Sequence, residues 1–142
     1  MILYLVSGSE YSAMANILVI DDEPVLLNLI ATALRLDGHT IKAICDPLAA
    51  LDAHGDEQSP IDLLLTDIDM VPISGFELVK RLSKTGFNSP VLFMSGYPAL
   101  AGAVAESLGE RAVLEKPFTA AQLRSAVHRM LSKSRPKSTR AA

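Results

Sequence analysis

Five polar side chains follow apolar runs in this sequence, and their types fit one kind of chemistry. Asp21 and Asp22 come directly after Ile17-Leu18-Val19-Ile20. Asp67 comes one residue after Leu63-Leu64-Leu65. Ser95 closes the run Pro90-Val91-Leu92-Phe93-Met94, and Lys116 follows Ala112-Val113-Leu114 with one residue between. An apolar run without polar alternation fits a strand buried on both faces of a parallel sheet. Ligands of open α/β sheets bind beyond the carboxyl ends of such strands. Three carboxylates gathered there would repel one another and raise one another's pKa unless a cation joined them. Oxygen ligands without Cys or His select a hard ion, which points to Mg²⁺. A lysine and a hydroxyl beside such carboxylates suit an oxyanion, and the group that matches metal, ammonium and hydroxyl together is phosphoryl. A carboxylate can itself be the nucleophile, giving an aspartyl phosphate. Neither GxxxxGK[ST] nor GxGxxG occurs, which argues against a bound nucleotide.

The elements that must position these groups alternate. Strands are predicted at 17–20, 40–44, 61–66, 90–94 and 112–114. Each is followed by a helical stretch, which makes five β-then-α units. That alternation with short connections predicts an α/β, doubly wound, five-stranded parallel sheet with helices on both faces and right-handed crossovers. The first helix is expected over 24–37, with Asp21 or Asp22 as its cap and Gly38 as its stop. Its inward stripe is read as Leu26, Leu29, Ile30 and Ala33. A second stripe, Leu27, Ala31 and Leu34, is a candidate docking face for a partner helix. A short helix opens at Asp46-Pro47 with Leu48 and Leu51 as anchors. Phe76, Leu78, Val79 and Leu82 mark the next helix, and the alanine-rich stretch 99–108 another, weakened by Gly102. The last helix is capped by Thr119 and presents Leu123, Ala126, Val127, Met130 and Leu131.

At 142 residues, 49% apolar and 20% charged, the chain has the composition of one soluble globular domain. No apolar run approaches the ~20 residues of a membrane span. The single cysteine, Cys45, excludes an intramolecular disulfide, and the chain reads as cytoplasmic. Cys45 itself is expected to be a small, half-buried residue. His39, His54 and His128 share no constellation and are read as structural or solvated. All 16 acidic residues lie at or before Glu115, whereas 7 of the 13 basic residues lie at or after Lys116. The acidic body argues against nucleic acid as the main partner, and the basic end reads as a solvated helix face plus a tail. Residues 1–13 are expected to be a flexible extension, 14–133 the domain, and 134–142 a disordered basic tail.

The four strand-end signatures, Asp21-Asp22, Asp67, Ser95-Gly96 and Lys116-Pro117-Phe118, in that order and each after an apolar strand, resemble a response-regulator receiver domain. This is the phospho-acceptor module of two-component signalling, here of the chemotaxis-receiver kind, and the resemblance covers 16–132. It implies the flavodoxin-like strand order 2-1-3-4-5. It also implies that Asp67 is the phosphorylated nucleophile, and that Asp21, Asp22 and Asp67, with the backbone carbonyl of Asp69, hold Mg²⁺. Lys116 would pair with the phosphoryl oxygens, Ser95 would donate its hydroxyl to them, and Pro117 would follow a cis bond. The implied partners are a histidine kinase or histidine phosphotransfer protein and an output protein. Homodimerisation is compatible with the pattern, and neither nucleic acid nor membrane is called for. The implied role is a signalling switch that catalyses its own phosphotransfer and dephosphorylation, not a metabolic enzyme.

Three positions depart from the pattern. Val71 stands where the family usually has proline, with Pro72 after it. Asp69 adds a fourth carboxylate, expected to tune the lifetime of the phosphoryl group. Val113 replaces the aromatic switch residue, for which Tyr97 is a substitute candidate. A stand-alone regulator is the leading reading. The alternatives are the receiver of a hybrid histidine kinase, a phosphatase using Asp67-Ile68-Asp69, and a receiver-like scaffold that binds partners without phosphorylation.

Overall fold

The computed structural model describes residues 14–55, 60–109 and 112–139. The expected extension at 1–13 lies outside the described residues. Five strands, β1 (Asn16–Ile20), β2 (Thr40–Ile44), β3 (Leu63–Asp67), β4 (Val91–Ser95) and β5 (Val113–Glu115), form one sheet in the order β2-β1-β3-β4-β5. All neighbouring pairs are parallel. Four helices connect or close it: α1 (Pro24–Leu36), α2 (Gly75–Lys84), α3 (Pro98–Leu108) and α4 (Ala120–Thr139). A 3-10 helix at Ala49–Gly55 lies between β2 and β3.

Strand side chains alternate between the two faces of the sheet. Ile17, Val19, Leu63, Leu65, Leu92 and Met94 pack with Leu27, Ile30 and Leu34 of α1 and Leu123 and Val127 of α4. On the opposite face Leu18, Ile20 and Leu64 pack with Ala50, Leu78, Leu82 and Phe87. Phe93, Ile68 and Val104 continue that second layer toward α3. Both faces are therefore covered, and every residue of β3 is buried, as its unbroken apolar run requires.

Several local expectations are corrected. Leu27, Ile30, Ala31 and Leu34 are the buried stripe of α1, while Leu29 is 63% exposed. Leu26 and Ala33 only flank the core. The stripe read as a docking face is thus the core face. The helix is apolar on nearly every side, so periodicity did not fix its rotation; the apolar row of α4, which packs into the same cluster, does. In the 3-10 helix the buried anchor is Ala50, not Leu48, which is exposed. Cys45 is exposed rather than half-buried. Helix α4 continues to Thr139, past Ser134, where a disordered tail was expected.

The Thr119 cap is as expected, and the cap of α1 is not. Thr119 and Gln122 exchange side-chain and backbone hydrogen bonds of 2.8 and 3.0 Å, which forms a capping box. Ser74 accepts from the Glu77 N–H at the start of α2. In α1 the cap residue is Glu23, and the Asp21 carboxylate instead accepts the Glu23 N–H at 2.9 Å.

Candidate active site

The parallel register brings the strand ends to one edge. Ile20 lies beside Thr66, Asp67 beside Met94, and Ser95 beside Glu115. Asp67 and Ser95 therefore end their strands, Asp21 and Lys116 stand one step beyond theirs, and Asp22 two steps beyond β1. Asp21 and Ser95 are fully buried and Asp67 is 4% exposed, whereas Asp22 is exposed. Asp21, Asp22 and Asp67 each place one carboxylate oxygen within 4.8 Å of the others. Lys116 reaches in from β5: its Nζ is 3.0 Å from Asp21 Oδ2 and 3.2 Å from Asp67 Oδ1. The lysine's own backbone is fixed by its N–H donating to the Ser95 carbonyl at 2.7 Å.

The electrostatics follow from this packing. Burial pushes the Asp67 carboxyl up from its ordinary value near 3.8 to about 6. The charge of Asp21 adds to the rise, and Lys116 opposes it. Burial alone would lower the Lys116 ammonium, but its hydrogen bond and charge pairing with Asp21, then Asp67, raise it. One ammonium among three carboxylates leaves a net negative, oxygen-only donor set. Such a set fits a hard divalent cation such as Mg²⁺.

The remaining candidates surround this cluster. The Ser95 hydroxyl donates to the Tyr97 carbonyl at 3.2 Å and accepts the Tyr97 N–H at 3.1 Å, so in this conformation its own loop satisfies it. Tyr97 is 58% exposed. A Cβ on Gly96 would stand 4.0 Å from the Lys116 Cβ, so this glycine is not forced by crowding. Lys116-Pro117 is a cis peptide, as the resemblance implied, and Val71-Pro72 is cis as well. Val113 is partly buried and packs against the cluster of Ile68, Phe93 and Val104. The Asp69 side chain is exposed and is not part of the carboxylate cluster.

Two contributors were not found in the sequence. Gly75 opens α2, and a Cβ there would collide with the Asp67 carbonyl oxygen and crowd Ile68. Its N–H donates to the Ile68 carbonyl at 2.8 Å, which draws the helix start onto the acceptor's own backbone. The available signal was a glycine eight residues after Asp67 at the end of a Pro/Gly-punctuated loop. The second is the Val71 N–H, which donates to Asp22 Oδ2 at 3.3 Å. A backbone donor carries no residue-type signal.

Over residues 17–128 the chain matches the response regulator receiver domain family. FixJ, a transcriptional regulatory protein of Azorhizobium caulinodans, is 35% identical over 119 residues, which is 82% of this chain and 54% of FixJ. TcrA, a transcriptional regulatory protein of Mycobacterium tuberculosis, is 33% identical over 112 residues, 76% of this chain and 42% of TcrA. The chain spans about half the length of these relatives or less. A receiver domain protein from Clostridium thermocellum has a TM-score of 0.73 at 29% identity, covering 85% of this chain and 97% of that one. The receiver domain of the hybrid histidine kinase CckA has a TM-score of 0.67 at 30% identity, covering 82% and 98%. With the strand order, the site geometry and the family match in agreement, the chain belongs to the response regulator receiver domain family.

Proposed function

We propose that this protein accepts a phosphoryl group on Asp67 from the phosphohistidine of a histidine kinase or histidine phosphotransfer protein, and that this switches which protein it binds. The observation that carries the reading is the placement of Asp67. It is a buried acid at the carboxyl end of the central strand, within 3.2 Å of Lys116 and in a three-carboxylate cluster. In the transfer an Asp67 carboxylate oxygen attacks phosphorus. The P–N bond breaks, and its electron pair returns to the imidazole of the donor. Lys116 is placed to hold a phosphoryl oxygen while still paired with Asp21. Asp21, Asp22 and Asp67, with the Asp69 carbonyl, would hold Mg²⁺, which when bound offsets the charge gathered on the carboxylates and the phosphoryl group. The Ser95 hydroxyl, on turning toward the phosphoryl group, would release both of its bonds to Tyr97 and so free that loop. Phosphorylation need favour the switched state by only a few kcal/mol.

The same chemistry serves a stand-alone regulator, the form we favour, or the receiver of a hybrid kinase. The size of the protein on an immunoblot of its source cells separates the two. The exposed, unpaired Cys45 is consistent with a cytoplasmic home. A phosphatase built on Asp67-Ile68-Asp69 would need Asp69 beside the nucleophile, and its side chain is exposed instead. The proposed effect of Asp69 on phosphoryl lifetime is tested by comparing dephosphorylation of wild type and Asp69→Asn, and equal rates sink it. The central test is incubation with Mg²⁺ and a small phosphodonor, followed by intact mass. Wild type should gain the mass of one phosphoryl group and Asp67→Ala should not. An adduct that survives in Asp67→Ala, or none in wild type, overturns the reading.

A further inference from the structure

Each carboxylate of the cluster has a donor that fixes one of its oxygens. Asp21 Oδ1 accepts the Glu23 N–H and its Oδ2 faces Lys116. Asp67 Oδ1 also faces Lys116. Asp22 is the exposed member, so its side chain has the most freedom to lose on binding a cation. Its Oδ2 is held at 3.3 Å by the backbone N–H of Val71, from the loop after β3.

We propose that the Val71 N–H is a positioning group for the cation site. It keeps the Asp22 carboxylate turned toward Asp21 and Asp67 before the ion arrives. This rests on the reading that the three carboxylates bind a divalent cation. Donors behind the ligands of a metal site orient those ligands and alter affinity when removed. The Val71 side chain is 75% exposed, so the amide and not the side chain carries the effect. By reciprocity, an ion held through Asp22 also holds the loop from Asp69 to Pro72.

The test is calorimetric titration of the full chain with Mg²⁺. Val71→Ala keeps the N–H and should bind like wild type. Val71→Pro lacks the donor and should bind roughly three- to ten-fold more weakly, at the low end for an outer-shell partner because this bond is long and exposed. At saturating Mg²⁺ the phosphorylation of Val71→Pro by a small phosphodonor should recover to the wild-type level, which a merely structural lesion would not allow. Equal Mg²⁺ affinity in Val71→Pro and wild type overturns the proposal, as does weakening to the same degree in Val71→Ala. Should Val71→Pro not fold, the Val71 amide resonance of the metal-free protein decides. Its proton should shift on Asp22→Ala, and an unmoved resonance overturns the proposal. Wild type that binds no Mg²⁺ removes the cation reading itself, a result distinct from a Val71 amide without effect.

Discussion

Lys116 is the residue on which the charge balance of the site turns. It is the cation that reaches both buried carboxylates, and it opposes the rise that burial and Asp21 impose on Asp67. Lys116→Met should therefore raise the Asp67 carboxyl beyond about 6, because the like charge of Asp21 is no longer offset. Carboxyl-carbon NMR titration of the metal-free protein reads this directly. A midpoint that stays at or below its wild-type position would show that the lysine does not hold Asp67 down. The same variant should also lose most of its phosphotransfer from a small donor. Residues of this kind were legible in the sequence because each is a charged group within two residues of the end of an apolar run. The Ser95 hydroxyl was legible as a group but not in its direction. It bonds the Tyr97 backbone, a rotamer choice set by the loop, and no residue type encodes that.

At the scale of elements, existence was readable and rotation was not. Helix α1 announced itself by Pro24 at its start and Gly38, at φ +97°, after its end. Its buried face, however, depends on which of several apolar rows meets α4 and the sheet. Two substitutions separate the rows. Leu34, fully buried, should cost roughly 2–5 kcal/mol as Leu34→Ala. Leu29→Ala, at an exposed position, should stay within about 0.5 kcal/mol of wild type. Urea unfolding measures both, and the reverse ranking would restore the stripe read from sequence. The junction of β3 and α2 makes a sharper demand. Gly75 lies against the backbone of Asp67 and Ile68, and backbone cannot yield as a flexible side chain would. Gly75→Ala should cost roughly 1–3 kcal/mol by overpacking. It should also slow phosphorylation more than a surface variant of equal stability, because the strain falls on the acceptor's own peptide. Phosphorylation at the wild-type rate would show that the helix start moves without moving Asp67.

For the whole molecule, the alternation of strands and helices predicted a parallel sheet covered on both faces, but the order 2-1-3-4-5 came only from the resemblance. That order is what places β1 and β3 side by side and so joins residues far apart in sequence into one acidic site. The assembly has a stability cost that depends on pH. Asp67 titrates near 3.8 when unfolded and at about 6 when folded. Between those values the folded state binds more protons, so stability from this group is full below about pH 4 and is lost as pH rises through about 6. Asp67→Asn removes the penalty. It should be more stable than metal-free wild type at pH 7 by on the order of 2 kcal/mol, and the gap should close below about pH 4. His39 pulls the other way. Its imidazole is lowered by burial, against the pull of Asp37, and its Nδ1 accepts the Ala15 N–H. Stability from His39 is therefore lost as pH falls below about 6.5, but it is present in both proteins and cancels in their difference. Mg²⁺ should close or reverse the gap at pH 7, because at a hundred-fold excess over its dissociation constant it stabilises wild type by about 2.7 kcal/mol. Thermal unfolding of the pair across pH 3–8, with and without Mg²⁺, measures every part of this. A difference that does not change with pH would mean that Asp67 is not the strained acid of the fold.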